Sequence, residues 1–160
     1  MSFYQTQNLP NFVKKSPLDV QDRLNKFLQD GFHQPQEEVI NTSVQHMITG
    51  KEMLSGFITR LGLTVSTTDF TDTAENIIAD IKNRLKSDSN SQYTTIRNGF
   101  WFDFAVYNDT EETLYINGNS GVAIGFIPSV EIPAFKTVWL RLCVTDVDPM
   151  SPEIYISILN

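Results

Sequence analysis

The chain has 160 residues, of which 41% are hydrophobic and 11% are aromatic. This apolar content can fill the core of a single domain and excludes an intrinsically disordered chain. The formal net charge of -7 disfavours nucleic acid as a partner, because affinity for phosphates comes from Lys and Arg side chains. No apolar run approaches the about 18 residues of a transmembrane helix and no signal-peptide pattern opens the chain, so we expect no membrane contact.

Cysteine usage and the charge distribution indicate how the chain is organised. A single cysteine, Cys143, excludes an internal disulfide framework and a cysteine-based zinc site. Residues 1–100 carry 10 basic and 11 acidic side chains, whereas residues 101–160 carry 2 basic and 8 acidic ones. Aromatic and β-branched residues also concentrate in the second range. We therefore predict an N-terminal arm over residues 1–43 and a β-rich module over residues 44–160.

The arm begins with residues 3–13, which follow no hydrophobic period and are expected to be extended. Ser16 and Pro17 then predict a helix start, since Ser is a favoured N-cap and Pro suits the first helical position. The predicted helix over residues 17–30 carries one apolar stripe, which must be buried against the module or a partner. The residues expected to anchor the arm are Phe3, Tyr4, Phe12, Leu24, Phe27 and Leu28.

The region that connects the arm to the strands mixes short elements. A turn or short helical turn is predicted over residues 49–54, a strand over residues 57–61 and a polar loop over residues 64–71. A second helix is predicted over residues 72–86, with Asp72 as its cap. Its apolar residues recur three and four apart, so one face of this helix should be buried.

After residue 99 the hydrophobic period becomes two, which predicts β-strands. These strands are predicted over residues 100–107, 114–116, 122–127, 130–132, 138–144 and 154–159. Residues 117–121, rich in Asn and Gly, predict a hairpin turn between the second and third of them. Short strands with frequent turns are typical of a sandwich or barrel. Two of the strands are apolar on both faces, which indicates that the sheets also meet other subunits.

The residue types that could carry chemistry do not converge on a site. His33 and His46 lie thirteen residues apart without acidic residues at helical spacing, and are interpreted as ordinary surface or arm residues. Cys143 lies between two apolar residues of a predicted strand, which favours a small buried side chain over a nucleophile. The sequence contains no phosphate-binding glycine loop, GxSxG or HExxH motif. We therefore expect neither a metal nor a cofactor.

The acidic pairs are also interpreted as structural. Asp146 and Asp148 are assigned to a turn before the last strand, because two carboxylates without a Gly-centred loop are a weak Ca²⁺ pattern. Asp69 and Asp72 are assigned to a loop and a helix cap rather than to acid–base chemistry.

Aromatic residues of the module define a candidate subunit or ligand surface. They are Trp101, Tyr115, Trp139 and Tyr155. Aromatic faces give contact area at a low entropic cost, so these residues could form a platform for a carbohydrate or a receptor. Packing in the core or between subunits is the favoured interpretation, because most aromatic side chains are used in that way.

Several stretches, in a fixed order, resemble a known family. They are residues 49–60, 71–81, 102–110 and 114–122, followed by residues 132–134, 141–145 and 154–156. The second stretch, TDTAENIIADI, is similar to the family pattern T-D-T-A-x-x-I-x-A-x-I, and the third, FDFAVYNDT, is similar to F-x-F-x-I-x-N-T. Residues 48–160 thereby resemble a small structural module of tailed-phage and related virus particles. The module occurs in capsid-fibre, capsid-decoration and tail-associated proteins.

The resemblance implies a mainly β fold, an antiparallel and jelly-roll-like β-sandwich with two short helices. It also implies a homotrimer on the virion without catalysis or a cofactor. The arm lies outside the resemblance, and we expect it to attach the trimer to the capsid or another virion protein. The expected function is that of a non-enzymatic virion structural protein, a capsid decoration or a head fibre.

Two other functions are considered. The first is a tail-fibre or adhesin module that binds a host receptor or surface glycan through its loops and aromatic residues. The second is a glycan-cleaving enzyme, which would need paired carboxylates in a cleft. Asp103 and Glu131 are the candidates for such a pair among the predicted strands.

Overall fold

The computed structural model describes residues 36–87, 96–125 and 127–159. The anchoring residues of the predicted arm, the helix predicted over residues 17–30 and His33 lie outside these ranges. Within them the chain is mainly β with two helices, so the predicted fold class is confirmed at this level. The strands form two separate sheets.

The elements follow one another along the chain as a series of short strands interrupted by two helices. In order, they are β1 (Gln36–Asn41), β2 (Met47–Ile48), α1 (Gly50–Met53), β3 (Gly56–Leu61), β4 (Thr67–Thr71), α2 (Ala74–Ser87), β5 (Trp101–Asn108), β6 (Leu114–Asn117), β7 (Val122–Ile124), β8 (Val130–Ile132), β9 (Thr137–Asp146) and β10 (Glu153–Leu159). The six-stranded sheet has the order β1-β3-β5-β9-β10-β7, and the four-stranded sheet the order β2-β4-β6-β8.

Both sheets are mixed. In the six-stranded sheet β9 pairs antiparallel with β5 and β10, whereas β1, β3 and β5 run parallel to one another, as do β7 and β10. In the four-stranded sheet β2, β4 and β6 run parallel, and β8 pairs antiparallel with β6. The prediction of a wholly antiparallel arrangement is therefore wrong. The physical reason is that the chain changes sheet at almost every strand, so that neighbours within a sheet are reached by crossovers.

The hairpin predicted over residues 117–121 is wrong for the same reason. This turn leads from β6 in one sheet to β7 in the other. The turn also binds the start of α2 and the strand β10. Ala74 N–H donates to the Ser120 carbonyl at 2.9 Å, and Ile154 N–H donates to the Gly121 carbonyl at 2.8 Å. Gly121 has a φ of 75°, and a Cβ atom there would lie 2.6 Å from the Pro152 carbonyl oxygen. The residues of this turn therefore form a crossover between the two sheets rather than a hairpin within one sheet.

The second predicted helix is confirmed as α2, but its cap differs. Thr73 Oγ1 accepts a hydrogen bond from the Asn76 N–H at 3.3 Å, so Thr73 rather than Asp72 is the N-cap. Asp72 supports the cap from outside, since its Oδ1 accepts from Thr73 N–H and Asn76 Nδ2. The predicted apolar face is buried and comprises Ala74, Ile77, Ile78, Ile81 and Leu85.

Three stretches that were not predicted as strands join the sheets, and the shortest of them, Met47–Ile48, forms β2 beside β4. Thr67–Thr71, within the predicted polar loop, forms β4 of the four-stranded sheet. Gln36–Asn41, within the range assigned to the arm, forms the edge strand β1 and pairs along its whole length with β3. Buried side chains from both sheets and from α2 belong to one hydrophobic cluster.

The short helix α1 lies where a turn or short helical turn was predicted, and it packs closely against α2. A capping box starts it, because Glu52 N–H donates to Thr49 Oγ1 and Thr49 N–H donates to the Glu52 carboxylate. A Cβ atom on Gly50 would lie 2.9 Å from the Cα atom of Ile77 and 3.0 Å from the Cβ atom of Asp80. The approach of the two helices therefore requires glycine at residue 50.

A buried ion pair links the two sheets. Arg60 on β3 donates from Nε to Asp69 Oδ2 on β4 at 2.7 Å, and the two side chains are 1% and 0% exposed. The guanidinium donates four further hydrogen bonds, to Asp69 Oδ1 and to the carbonyl oxygens of Thr42, Val44 and Leu61. Every N–H of the guanidinium thus has an acceptor, as a buried charge requires.

Asn108 links the sheets at the end of β5. Its side-chain Nδ2 donates to the carbonyl oxygens of Glu112, Ile132 and Pro133 at 2.7 to 3.2 Å. Its Oδ1 accepts from Thr110 Oγ1 at 2.7 Å. Because Ile132 lies on β8, this one amide connects the six-stranded sheet to the four-stranded sheet.

The ion pair gives a stability prediction. Replacing Asp69 by Ala should lower the free energy of unfolding by about 3–5 kcal/mol, because the Arg60 charge stays buried without its partner. The double variant Arg60→Met/Asp69→Leu should lose less than Asp69→Ala, since it leaves no buried charge. Urea unfolding measures both, with the exposed substitution Glu111→Ala as control. An Asp69→Ala variant as stable as the wild type would contradict the prediction.

The helix contact gives a second stability prediction. Gly50→Ala should lower the free energy of unfolding by about 1–3 kcal/mol, because the added methyl group meets the backbone of α2. Lys51→Ala, in the same short helix but exposed, is the control and should change stability little. Thermal unfolding of both variants checks this. Stabilisation by Gly50→Ala, as its better helix propensity alone would give, would refute the contact.

Candidate functional site

One face of the six-stranded sheet points away from the core. Even-numbered residues of β5 and β9 are mostly buried, whereas Trp139, Arg141 and Cys143 point outward in register with residues of β5 and β10. We call the outward residues of β5, β9 and β10 the outer face. They are Trp101, Asp103, Ala105, Tyr107, Thr137, Trp139, Arg141, Cys143, Glu153, Tyr155, Ser157 and Leu159.

The outer face brings together three of the four aromatic residues singled out in the sequence. Cys143 pairs with Trp101 on one side and Tyr155 on the other, and Trp139 lies on the same strand. Tyr115 lies elsewhere, on β6 of the four-stranded sheet, where it is in register with Glu131. The candidate surface therefore consists of three aromatic residues on one sheet, and the fourth is separate from them.

Arg141 lies at the centre of the outer face and holds it together. Its Nε and Nη2 donate to the two carboxylate oxygens of Asp103 at 2.7 and 2.9 Å. Its guanidinium carbon also lies 4.0 Å from the centre of the Trp101 ring, a cation–π contact. The hydrogen bonds that Arg141 donates to the Asp103 carboxylate raise the pKa of Arg141. The pair is thus a neutral unit across two strands, with an aromatic ring stacked on it.

Trp139 is the most exposed aromatic residue of the outer face. The residue is 50% exposed and lies between Ala105 on β5 and Leu159 on β10. Trp101 and Tyr155 are partly buried. An indole with small or aliphatic neighbours presents a flat apolar surface, which can pack against another protein surface or stack on a sugar ring.

Cys143 is partly buried on this face rather than in the core. Burial raises the pKa of its thiol, and the nearby positive charge of Arg141 opposes that rise. A raised pKa keeps the thiol protonated near neutral pH and makes it a poor nucleophile.

The remaining candidates have structural partners. His46 Nε2 lies 2.9 Å from Glu52 Oε1, a partner that helical spacing in the sequence does not indicate. Asp146 and Asp148 accept hydrogen bonds from backbone N–H groups two residues on, as expected of a turn. The loop assignment of Asp69 is wrong, because the residue lies on β4 in the buried ion pair.

The candidate carboxylate pair for glycan cleavage is not formed. Asp103 lies on β5 and is engaged by Arg141, whereas Glu131 lies on β8 of the other sheet. Across the three described ranges, no group of three or more His, Cys, Asp or Glu side chains is arranged to hold a metal ion. The helices of these ranges include none that is long and apolar enough to cross a membrane.

The sequence interpretation missed the residues that join the sheets. Arg60, Asp69 and Asn108 are all buried, and each follows or precedes apolar residues in its strand. A charged or amide residue at a core-facing position of a strand is the signal that could have found them.

Comparisons with protein-family models, curated proteins and solved structures found no match to the chain.

The thiol gives a prediction about the outer face. The alkylation rate of Cys143 with iodoacetamide should rise at a higher pH than that of free cysteine, because burial disfavours the thiolate. Arg141→Gln should move the profile to still higher pH by removing a charge that favours the thiolate. Lys136→Gln, which removes an exposed positive charge elsewhere, is the control. A profile at or below that of free cysteine would contradict the prediction.

Proposed function

We propose that the protein is a non-enzymatic structural component of a virus particle, a homotrimeric capsid decoration or head-fibre protein. The observation that carries the proposal is the outer face, with its half-exposed Trp139 beside a neutral Asp103–Arg141 pair. Such a surface suits protein packing, because Trp, Tyr and Arg are the residues most enriched where proteins meet. The ordered motifs over residues 48–160, which resemble a phage structural module, support the same function.

The use of polar residues also supports a structural role. The buried Arg60, Asp69 and Asn108 side chains form hydrogen bonds within the fold, and Arg141 binds Asp103. Each of these groups is held by partners that satisfy it, so none is poised to act on a substrate. Polar groups used in this way make a small fold rigid and specific.

The proposal also covers the arrangement of the two sheets. The two sheets face each other as a sandwich with a jelly-roll-like path. In support, the side chains of Arg60 and Asn108 reach from one sheet to the other, and the buried side chains form one cluster. The repeated change of sheet along the chain is typical of strands wound around a shared core.

The arm is the proposed attachment to the particle. It binds the capsid or another virion protein through Phe3, Tyr4, Phe12, Leu24, Phe27 and Leu28. An amphipathic helix with an apolar stripe suits a groove on a partner, and three arms on one trimer would add avidity.

The exposed indole of Trp139 supports an alternative function. Its exposed indole is the kind of surface on which a sugar ring stacks, so a receptor- or glycan-binding module of a tail fibre is the alternative. A glycan array probed with the wild type and Trp139→Ala distinguishes it. Binding that is lost in the variant favours the alternative, and the absence of binding counts against it.

Attachment through the arm can be tested in the full chain. Leu24→Glu/Phe27→Glu should reduce copurification with particles of the source virus at least tenfold, because two charges interrupt the apolar stripe of the predicted helix. Quantitative mass spectrometry of density-purified particles measures the bound protein.

A matched control changes the charge without changing the stripe. Asn25→Glu/Gln29→Glu adds the same two negative charges on the other side of the predicted helix and should bind like the wild type. Equal binding of both variants would refute the arm as the attachment. Deletion variants should end at residue 35, because Gln36–Asn41 pairs with β3.

A further inference from the structure

The side of the six-stranded sheet opposite the core presents large apolar groups. Trp139 is 50% exposed, and Trp101 and Leu159 are partly exposed on the same face. The same side continues onto β3 and β1, where Phe57 is partly exposed and Val39 is 52% exposed. Both described helices bury their apolar residues in the core cluster instead. Exposed apolar surface of this kind marks a contact with something that covers it.

The outer face has the dimensions of a helix contact rather than of an interface between two proteins. Its three strands, about 4.8 Å apart, are about 14 Å wide, and seven residues extend about 23 Å along a strand. The resulting area of roughly 330 Å² is less than half of the about 800 Å² that each partner contributes to a standard interface. A helix of about 14 residues is about 21 Å long and about 10 Å wide, so a single helix fits within this face.

The helix predicted over residues 17–30 is within reach of this face. It precedes β1, which begins at Gln36 and is the edge strand of the same sheet. In-register pairs lead from Glu37 on β1 across β3 and β5 to Trp139, which therefore lies about 14 Å away. Residues 31–35 can extend up to about 17 Å, which exceeds this distance. The core side of the sheet is filled by the hydrophobic cluster, so the outer face is the side that remains for the helix.

The charge of the N-terminal segment also suits the face. Two exposed carboxylates, Glu37 and Glu153, lie on this side of the sheet, so the face is acidic apart from its neutral ion pair. Residues 1–35 carry four basic and three acidic side chains, whereas residues 36–160 carry eight basic and sixteen acidic ones. A second acidic module is repelled by this face, whereas the N-terminal segment is the part of the chain with the opposite sign of charge.

We propose that the helix predicted over residues 17–30 packs on the outer face of its own chain when the protein is free. Its apolar stripe, which includes Leu24, Phe27 and Leu28, lies against Trp139. The inference goes beyond the proposed function, in which the same stripe binds the particle, and the packing on the free chain does not depend on that function. One stripe cannot make both contacts at once, so attachment requires the helix to leave the outer face. The contact is therefore autoinhibitory.

The first test measures the contact in the full chain. Bimane, a fluorophore that tryptophan quenches on contact, is attached to Leu24→Cys in a Cys143→Ser background, which leaves one thiol for labelling. We expect at least threefold stronger quenching there than at Gln29→Cys, which lies on the other side of the predicted helix. Trp139→Phe should remove most of the quenching at residue 24, because this substitution removes the indole that the stripe contacts.

A mixing experiment shows which chain the helix covers. The labelled protein is unfolded in urea and refolded together with a tenfold excess of unlabelled Trp139→Phe. Packing within one chain predicts that the quenching at residue 24 is unchanged. A helix exchanged between copies would lie mostly on chains without the indole, and its quenching would be lost.

Intrinsic fluorescence provides a second measurement without a label. Both tryptophans of the chain lie on the outer face, so their fluorescence reports on this face alone. Leu24→Glu/Phe27→Glu should raise the acrylamide quenching constant at least twofold, because the stripe no longer covers Trp139. Asn25→Glu/Gln29→Glu adds the same charge on the other side of the helix and should behave like the wild type. A cooperative urea transition in both variants confirms that the sheets remain folded.

Two results would overturn the inference. The first is equal bimane quenching at residues 24 and 29, which places the stripe elsewhere. The second is quenching that is lost on refolding with the unlabelled variant, which places the helix on another copy. Both are measured on the free protein, so they leave the attachment to particles intact. Contact in the free protein together with equal copurification of the two double Glu variants would instead support the inference and refute the arm as the attachment.

Discussion

The buried pair of Arg60 and Asp69 is the constraint on which the arrangement of the two sheets depends. A charge in a low-dielectric interior is tolerated only when every donor and acceptor is satisfied. Arg60 meets this condition with Asp69 and with carbonyl oxygens of the segment between β1 and β2, and Asp69 also accepts from His46 N–H at 2.8 Å. The position of β3, of β4 and of the chain before them is thereby set by one group of hydrogen bonds.

Further polar contacts repeat this design at other points where the chain changes sheet. Asn108 binds carbonyl oxygens beside β8, and Thr71 Oγ1 accepts from Asn119 N–H at 3.1 Å. The chain enters the other sheet at almost every strand, and β9 and β10 are the consecutive strands that remain together in one sheet. This path places β5, β9 and β10 side by side and so assembles the outer face from distant parts of the sequence.

Local sequence patterns predicted the elements in which the spacing of apolar residues shows which side is buried. Alternation over residues 100–107 and 138–144 predicted β5 and β9, and the spacing of apolar residues predicted α2. The Asn- and Gly-rich residues 117–121 were correctly predicted as a turn but not as a crossover, because a turn's composition does not encode the sheet that follows it. Trp101, Trp139 and Tyr155 could be named from the sequence, while their common face required the pairing of three strands.

The sequence by itself determined that this protein is mainly β, where its principal strands and its second helix lie, and that its charge is acidic. These properties follow from composition and from the spacing of apolar residues, with a period of two in strands and 3.6 in helices. Each segment shows this spacing without reference to the rest of the chain. Only the tertiary structure decided the mixed pairing, the joining of β1 to the sheet and the burial of Arg60 against Asp69. Each of these depends on contacts between residues far apart in the chain. The free energy of such contacts comes from the packed core and its satisfied polar groups rather than from local propensity.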